Sequence, residues 1–155
     1  MAIVKSGAGT HGMRGARWAA LVARVLHPVM IRHHRRHGDE FRSRAVLYLT
    51  TVGAKTGTHR QNAVGYELDG DGAWLVVASF GGAARHPGWY HNIAAHPDQV
   101  WIEVGGRRHR VRAQQLDGPR RTDAWARITA SRPSMAGYQE KTDRILPVLR
   151  LTPAE

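Results

Sequence analysis

Two stretches of this sequence carry residue types that can hold a ligand. The first is TTVGAKTGTHR (50–60), where Gly53 and Gly57 bracket Lys55 and Thr56, and Arg60 follows. Amides exposed by such glycines, with Lys55, Thr56 and Arg60, form a donor set suited to phosphate or another anion. The stretch is not a nucleotide P-loop, which needs a glycine directly before the lysine and a helix after it. Here Ala54 precedes Lys55, and the strand-like QNAVGYEL follows. On these residues alone, a basic turn and an anion site both stay open.

The second stretch is SFGGAARHPGWYHN (79–92). Ser79 ends an apolar run, Gly81 and Gly82 allow a flat ligand to approach the backbone closely, and Trp89 to Asn92 open a short helix whose N-terminus favours negative charge. Its plain alternative is a turn followed by aromatic core filling. His86, His91 and His96 recur every five residues, roughly 140° apart on a helix, so no metal site is expected there. His33 and His37 could share a helix face, but Arg32, Arg35 and Arg36 would repel a cation. Arg108, Arg110 and Arg112 alternate along one strand face, which reads first as a solvated surface.

Other chemistries are excluded. With no cysteine, there are no disulfides, thiolate zinc sites, iron–sulfur clusters or cysteine nucleophiles. No G-x-S-x-G elbow occurs, no acidic pair stands in a glycosidase context, and a standard dinucleotide site is not expected.

The elements that must position these residues are mostly strands. Candidates are 45–51, 61–68, 73–79, 99–106, 107–116 and 145–151, with DGDG (69–72) and Gly105-Gly106 as turns. Helices are expected over 88–97, 119–131 and 134–144. The first three strands have no helix between them, so the expected architecture is mainly β with accessory helices: an antiparallel barrel rather than a doubly wound sheet.

The chain has 155 residues, enough for one domain with a real core, and a formal charge of +11. Residues 1–44 hold nine basic and two acidic side chains, so two parts are expected: a basic amphipathic N-terminal segment (1–44) and a barrel domain (45–155). A helix over 15–31 would place Trp18, Leu21, Val22, Val25 and Val29 on one side until Pro28 ends or kinks it. It is too short in apolar run to span a bilayer. It could pack on its own domain, or lie with the basic cluster up to residue 37 on an anionic membrane surface. The expected location is cytoplasmic, peripheral to the membrane if that contact forms.

Four stretches in order, LTTVGAKTGTHRQN, DGDG, VVASFGGAARHPGWYHNIAAHP and YQEKTDRILPVLRL, resemble the deazaflavin-dependent nitroreductase family from about Leu47 to Leu151. The resemblance implies a split β-barrel that binds coenzyme F-420 and passes hydride from its reduced form to a quinone, nitroaromatic or activated alkene. It implies that Lys55, Thr56, Gly57 and Arg60 hold the coenzyme's phosphate and part of its anionic tail. Ser79, Gly81 and Gly82 would line the deazaflavin ring, with Phe80 beside them where a lysine is common, and Trp89 and Asn92 shaping the wall. Tyr66 and Tyr138 would face the acceptor as candidate proton donors. The family's N-terminal segment is associated with membrane binding in some members.

Three other functions compete: the same barrel using FMN, a deazaflavin-binding protein without turnover, and a nucleic-acid-binding module suggested by the charge. Against the last, the aromatics sit beside glycines rather than between arginines. The chemistry needs no metal or nucleophile from the protein, because the coenzyme carries it. The sequence marks no oligomer interface.

Overall fold

The alternating apolar runs close into a barrel. In the computed structural model, which describes residues 2–13, 28, 29, 31–33, 35, 36 and 45–155, the strands are β1 (Val46–Val52), β2 (His59–Asp69), β3 (Ala73–Val77), β4 (Val100–Val104), β5 (Arg107–Gln115) and β6 (Val148–Pro153). They run β1-β2-β3-β6-β5-β4 around a closed barrel, every pairing antiparallel. Closure leaves no strand edge to manage. Within residues 45–155 three helices accompany it: α1 (Gly88–Ala95), α2 (Gly118–Ser131) and α3 (Ser134–Glu140). The expected fold, mainly β with accessory helices, is the one observed.

Period-two alternation sorts each strand onto two faces. Leu47, Leu49, Trp74, Val76, Ile102, Val111, Leu149 and Leu151 point inward, and Trp89, Tyr90 and Ile93 of α1 complete that interior cluster. Burying each large aliphatic side chain contributes about 1.5–3 kcal/mol. The opposite face of β3 presents Leu75 and Val77 to Ala124 and Ile128 of α2, with Leu116 and Leu146 between. β3 is therefore buried throughout, as its unbroken apolar run AWLVV predicts.

Antiparallel pairing puts the β1–β2 loop (53–58), the segment after β3 (78–87) and the segment before β6 (141–147) at one end of the barrel. The turn at Asp71-Gly72 (φ 61° and 67°) and the Gly105-Gly106 turn (φ 55° and 75°) lie at the other. Both are the left-handed pairs that tight hairpins require.

Two boundaries differ from expectation by more than two residues. The last strand begins at Val148 rather than Ile145, because the Leu146 amide donates to Gln139 Oε1 at 3.0 Å and Pro147 has no N–H for a ladder. α3 stops at Glu140 rather than 144, where Lys141 and Thr142 turn back on Tyr138 and Gln139.

The expected helix over 15–31 falls mostly on residues 14–27 and 30, which lie outside the described residues, as does His37. Backbone is helical at 28, 29, 31–33, 35 and 36. Arg35 pairs with Glu103 at 3.1 Å and lies 5.0 Å from the Tyr48 ring, on the outer face of β1 and β4.

Residues 2–13 have no regular structure yet lie on the barrel. Ile3 joins the interior cluster, and the Ser6 amide donates to Tyr90 Oη at 3.0 Å.

Candidate functional site

The β1–β2 loop is closed by its own backbone. Gly53 N–H donates to Thr58 O and Gly57 N–H to Gly53 O, each at 2.8 Å. Gly57 has φ 67°, which favours glycine. A side chain at Gly53 would meet Thr56 Oγ1 at 2.5 Å. Asn92 of α1 then pins the loop to β1: its Oδ1 accepts from Ala54 N–H and its Nδ2 donates to Thr51 Oγ1, both at 3.0 Å. The amides of Gly53, Ala54 and Gly57 therefore serve the loop itself, which corrects the expectation that these glycines expose theirs to a ligand. Lys55, Thr56 and Arg60 are all exposed, with the Thr56 hydroxyl turned back onto Thr58 Oγ1 at 2.8 Å. Among the described residues, neither Lys55 nor Arg60 makes an ion pair. Arg60 also lines a cavity of about 340 Å³ with Arg35, Thr50, His59, Gln61 and Arg108.

The segment after β3 is more constrained. Phe80, Gly81 and Gly82 take φ of 44°, 62° and 80°, three successive left-handed residues. For Phe80 this conformation costs on the order of 1–2 kcal/mol, the kind of strain found at binding loops. A side chain on Gly82 would strike Tyr138 O at 2.5 Å. Ser79, Phe80 and Gly81 stay half-exposed, so the curved backbone presents a face toward solvent.

Side chains that sequence reasoning missed hold this segment from below. Arg144 donates to Ala83 O (2.6 Å), Ala78 O (3.1 Å) and Ser79 O (2.7 Å). His86 lies 3.1 Å from Arg144 and 3.0 Å from Ser6 O. Burial, with the Arg144 charge beside it, pushes the His86 pKa down, keeping the ring neutral. Burial also lowers Arg144 to about 10, which leaves it charged at neutral pH. Nothing in residue type separates Arg144 from the other basic residues of the chain; only its place in the fold does.

The N-terminal strap was also missed. Gly9 N–H donates to Ala84 O at 2.8 Å and Met13 N–H to Gly82 O at 3.0 Å, so the strap runs along the 82–84 backbone. Asp143 anchors it: Thr10 Oγ1 donates at 2.6 Å and the Thr10 amide at 2.8 Å. The Thr10 hydroxyl first, then the His11 amide, hold the Asp143 pKa down at about 2. GAGTHG (7–12) does spell G-x-G-x-x-G, but no strand precedes it and no helix is described after it. Its glycines serve packing: a Cβ at Gly12 would lie 2.2 Å from Ala84 N, and one at Gly9 2.5 Å from Asp143 Oδ1.

The remaining expected site residues are divided. Trp89 is buried in the interior cluster. Asn92 spends both ends of its amide on the β1–β2 loop. Tyr66 packs on the interior cluster opposite Val76, three residues short of Ser79. Tyr138 packs on the outer cluster, beside Gly82. Arg60 and Tyr66 lie six residues apart on β2, roughly 20 Å, a span suited to a long ligand with an anion at one end and a reactive ring at the other. Arg108, Arg110 and Arg112 share the outer face of β5, as expected. Among the described residues no cluster of metal-ligating side chains occurs.

The sequence model described as F-420H(2)-dependent quinone reductase matches residues 22–153. A protein of Mycobacterium tuberculosis named F-420H(2)-dependent quinone reductase is 43% identical over 109 residues, 68% of this chain and 72% of the relative. A solved structure described as an F-420-H2 dependent reductase superposes with TM-score 0.61 at 34% identity, over 68% of this chain and 92% of its own. A second, described as a domain-swapped dimer, gives 0.63 at 31% identity, over 79% and 96%.

Proposed function

The chain belongs to the F-420H(2)-dependent quinone reductase family, and we propose that its two loops at one barrel end hold reduced coenzyme F-420 against a quinone-type acceptor. The protein is a deazaflavin-dependent oxidoreductase, and coenzyme F-420 is its cofactor. The observation that carries the site assignment is the shared end itself. An outward basic loop and the curved segment after β3 lie at the same end of the barrel, and α1, which follows that segment, reaches the loop through Asn92. The residues fit the group: cations without an ion pair among the described residues, for a phosphodiester and carboxylates, and a half-exposed Ser79-Phe80-Gly81 backbone beside the flexible Met13 side chain, against which a ring can lie.

When bound, the reduced deazaflavin supplies the hydride. Every other task falls to the chain. Lys55 and Arg60 bind the anionic portion, with the Thr56 hydroxyl as a further donor. Ser79, Phe80, Gly81 and Gly82 set the plane of the ring. Tyr66 and Tyr138 hold the acceptor, and a phenolic O–H donates the proton that completes quinone reduction, or solvent does. Nitroaromatic and activated-alkene acceptors belong to the same proposal.

Equilibrium binding of oxidised F-420, followed by its own fluorescence with FMN run in parallel, tests the cofactor site. Steady-state oxidation of the reduced coenzyme by menadione then tests turnover. Preferential FMN binding would overturn the cofactor assignment, and tight F-420 binding without oxidation by any quinone would make this a carrier protein.

Peripheral contact of residues 15–37 with an anionic membrane is a second element of the proposal. It rests on the net +7 of residues 1–44. Among the described residues no helix is long and apolar enough to cross a membrane. Co-sedimentation with phosphatidylglycerol vesicles that fails even at low salt would remove it.

A further inference from the structure

Arg144 is 3% exposed, yet among its bonded partners there is no carboxylate. Burying a guanidinium without a counter-ion is costly, and an apolar side chain could fill the same volume. What an apolar side chain cannot do is bond carbonyls. Arg144 uses its donor fork on three carbonyls of one segment, Ala78, Ser79 and Ala83. Those carbonyls bracket Phe80, Gly81 and Gly82, the three successive left-handed residues.

The chain of bonds continues outward in one direction only. Arg144 can only donate, so His86 Nδ1 accepts and carries no proton. Nε2 then bears the hydrogen and donates to Ser6 O at 3.0 Å, with Gly7 O at 3.2 Å. Ser6 is held in turn by Tyr90 Oη through its amide and by Gln115 through its hydroxyl.

We propose that Arg144 is a positioning residue for the coenzyme: it fixes the curvature of residues 79–83 and, through His86, joins that curvature to the N-terminal strap at Ser6. This rests on the proposed role of the segment in holding the deazaflavin ring. Arg144 touches the backbone under the site and not the reacting groups. An ordering effect of this kind lowers the cost of binding by removing loop freedom beforehand.

The test uses the full chain with Arg144→Ala and Arg144→Lys, the latter keeping the charge without the fork. Three quantities are read: the F-420 dissociation constant, hydrogen exchange at residues 79–86 against residues 73–77 of β3, and rescue by guanidinium chloride at concentrations well below denaturing, with sodium chloride as control. The expected result is at least about tenfold weaker coenzyme binding in both variants, from the loss of charged hydrogen bonds. Exchange should rise at 79–86 and not in β3, and guanidinium, not sodium, should restore binding to Arg144→Ala. Unchanged affinity in a folded variant overturns the proposal. So does exchange that rises equally in loop and strand without guanidinium rescue, since Arg144 would then serve global stability alone. If Arg144→Ala fails to fold, Arg144→Lys decides by the same affinity and exchange criteria. Failure of the wild-type protein to bind F-420 is a different result, which removes the coenzyme reading itself.

Discussion

Tyr66 and Tyr138 lie on opposite faces of the barrel wall. Tyr66 packs with the interior cluster opposite Val76, whereas Tyr138 packs on the outer cluster with Leu75 and Val77. Neighbouring residues on one strand, Leu75 and Val76, thus separate the two phenols. Residues without shared partners act independently, within about 0.5 kcal/mol. Tyr66→Phe and Tyr138→Phe should therefore lower kcat/KM for a quinone by factors that multiply in the double variant. A double variant no worse than the weaker single one would mean that they share one proton path.

Lys55 and Arg60 are exposed, so removing either should barely affect folding, within about 0.5 kcal/mol. Each should weaken F-420 binding by roughly tenfold, the worth of a charge-assisted contact. Added salt should narrow the difference from wild type. Isothermal titration at two ionic strengths, with urea melts as the stability control, reads both effects. Equal affinity in both variants would leave the β1–β2 loop a basic hairpin.

Asn92 joins loop to strand with both ends of its amide, so Asn92→Ala should cost about 1–3 kcal/mol in urea unfolding. Asn92→Asp keeps the acceptor for the Ala54 amide and should cost less stability. It places a carboxylate one residue from Lys55, so coenzyme affinity should fall by more than stability does. Parallel losses in the two quantities would count against the loop as an anion site.

Two glycines with similar φ should respond differently to alanine. At Gly105 the space is open, and Gly105→Ala should cost only the left-handed strain, about 1–2 kcal/mol. At Gly82 the new Cβ would meet Tyr138 O at 2.5 Å, so Gly82→Ala should cost roughly 3 kcal/mol or more. Thermal or urea midpoints of the two variants compare them directly.

His86 predicts a pH dependence. Burial and the charge of Arg144 lower its folded-state pKa below the ordinary 6.5, with His91 adding to that direction and the carbonyls of Ser6 and Gly7 opposing it. The unfolded chain therefore binds the proton more readily, and stability rises with pH across the interval between the two values. His86 contributes fully above about pH 6.5, and the contribution is lost as pH falls toward the folded pKa. Urea unfolding of wild type and His86→Gln at pH 7.5 and 5.5 should show a smaller acid loss in the variant. Identical losses would place the titration elsewhere.

Much of the barrel was legible because its signals are local. The alternation in VLYLTTV, the DGDG turn and the Gly105-Gly106 turn each follow from backbone and burial rules acting over a few residues. The two ligand-type loops were legible for the same reason, since their glycines and cations are consecutive. Arg144 was not, because its role depends on carbonyls more than sixty residues away. The strap was not either: GAGTHG has no periodicity, and its glycines are demanded by backbone on the far side of a contact with Ala84 and Asp143.

By itself, then, the sequence determined the strands, the turns and the two loops that bear the chemistry, because hydrophobic period and left-handed glycines are read from neighbours in the chain. Tertiary structure alone decided which amides of the β1–β2 loop turn inward, which face of the wall each tyrosine takes, and which of many arginines is buried beneath residues 79–83. Those depend on hydrogen bonds between segments that only barrel closure brings together.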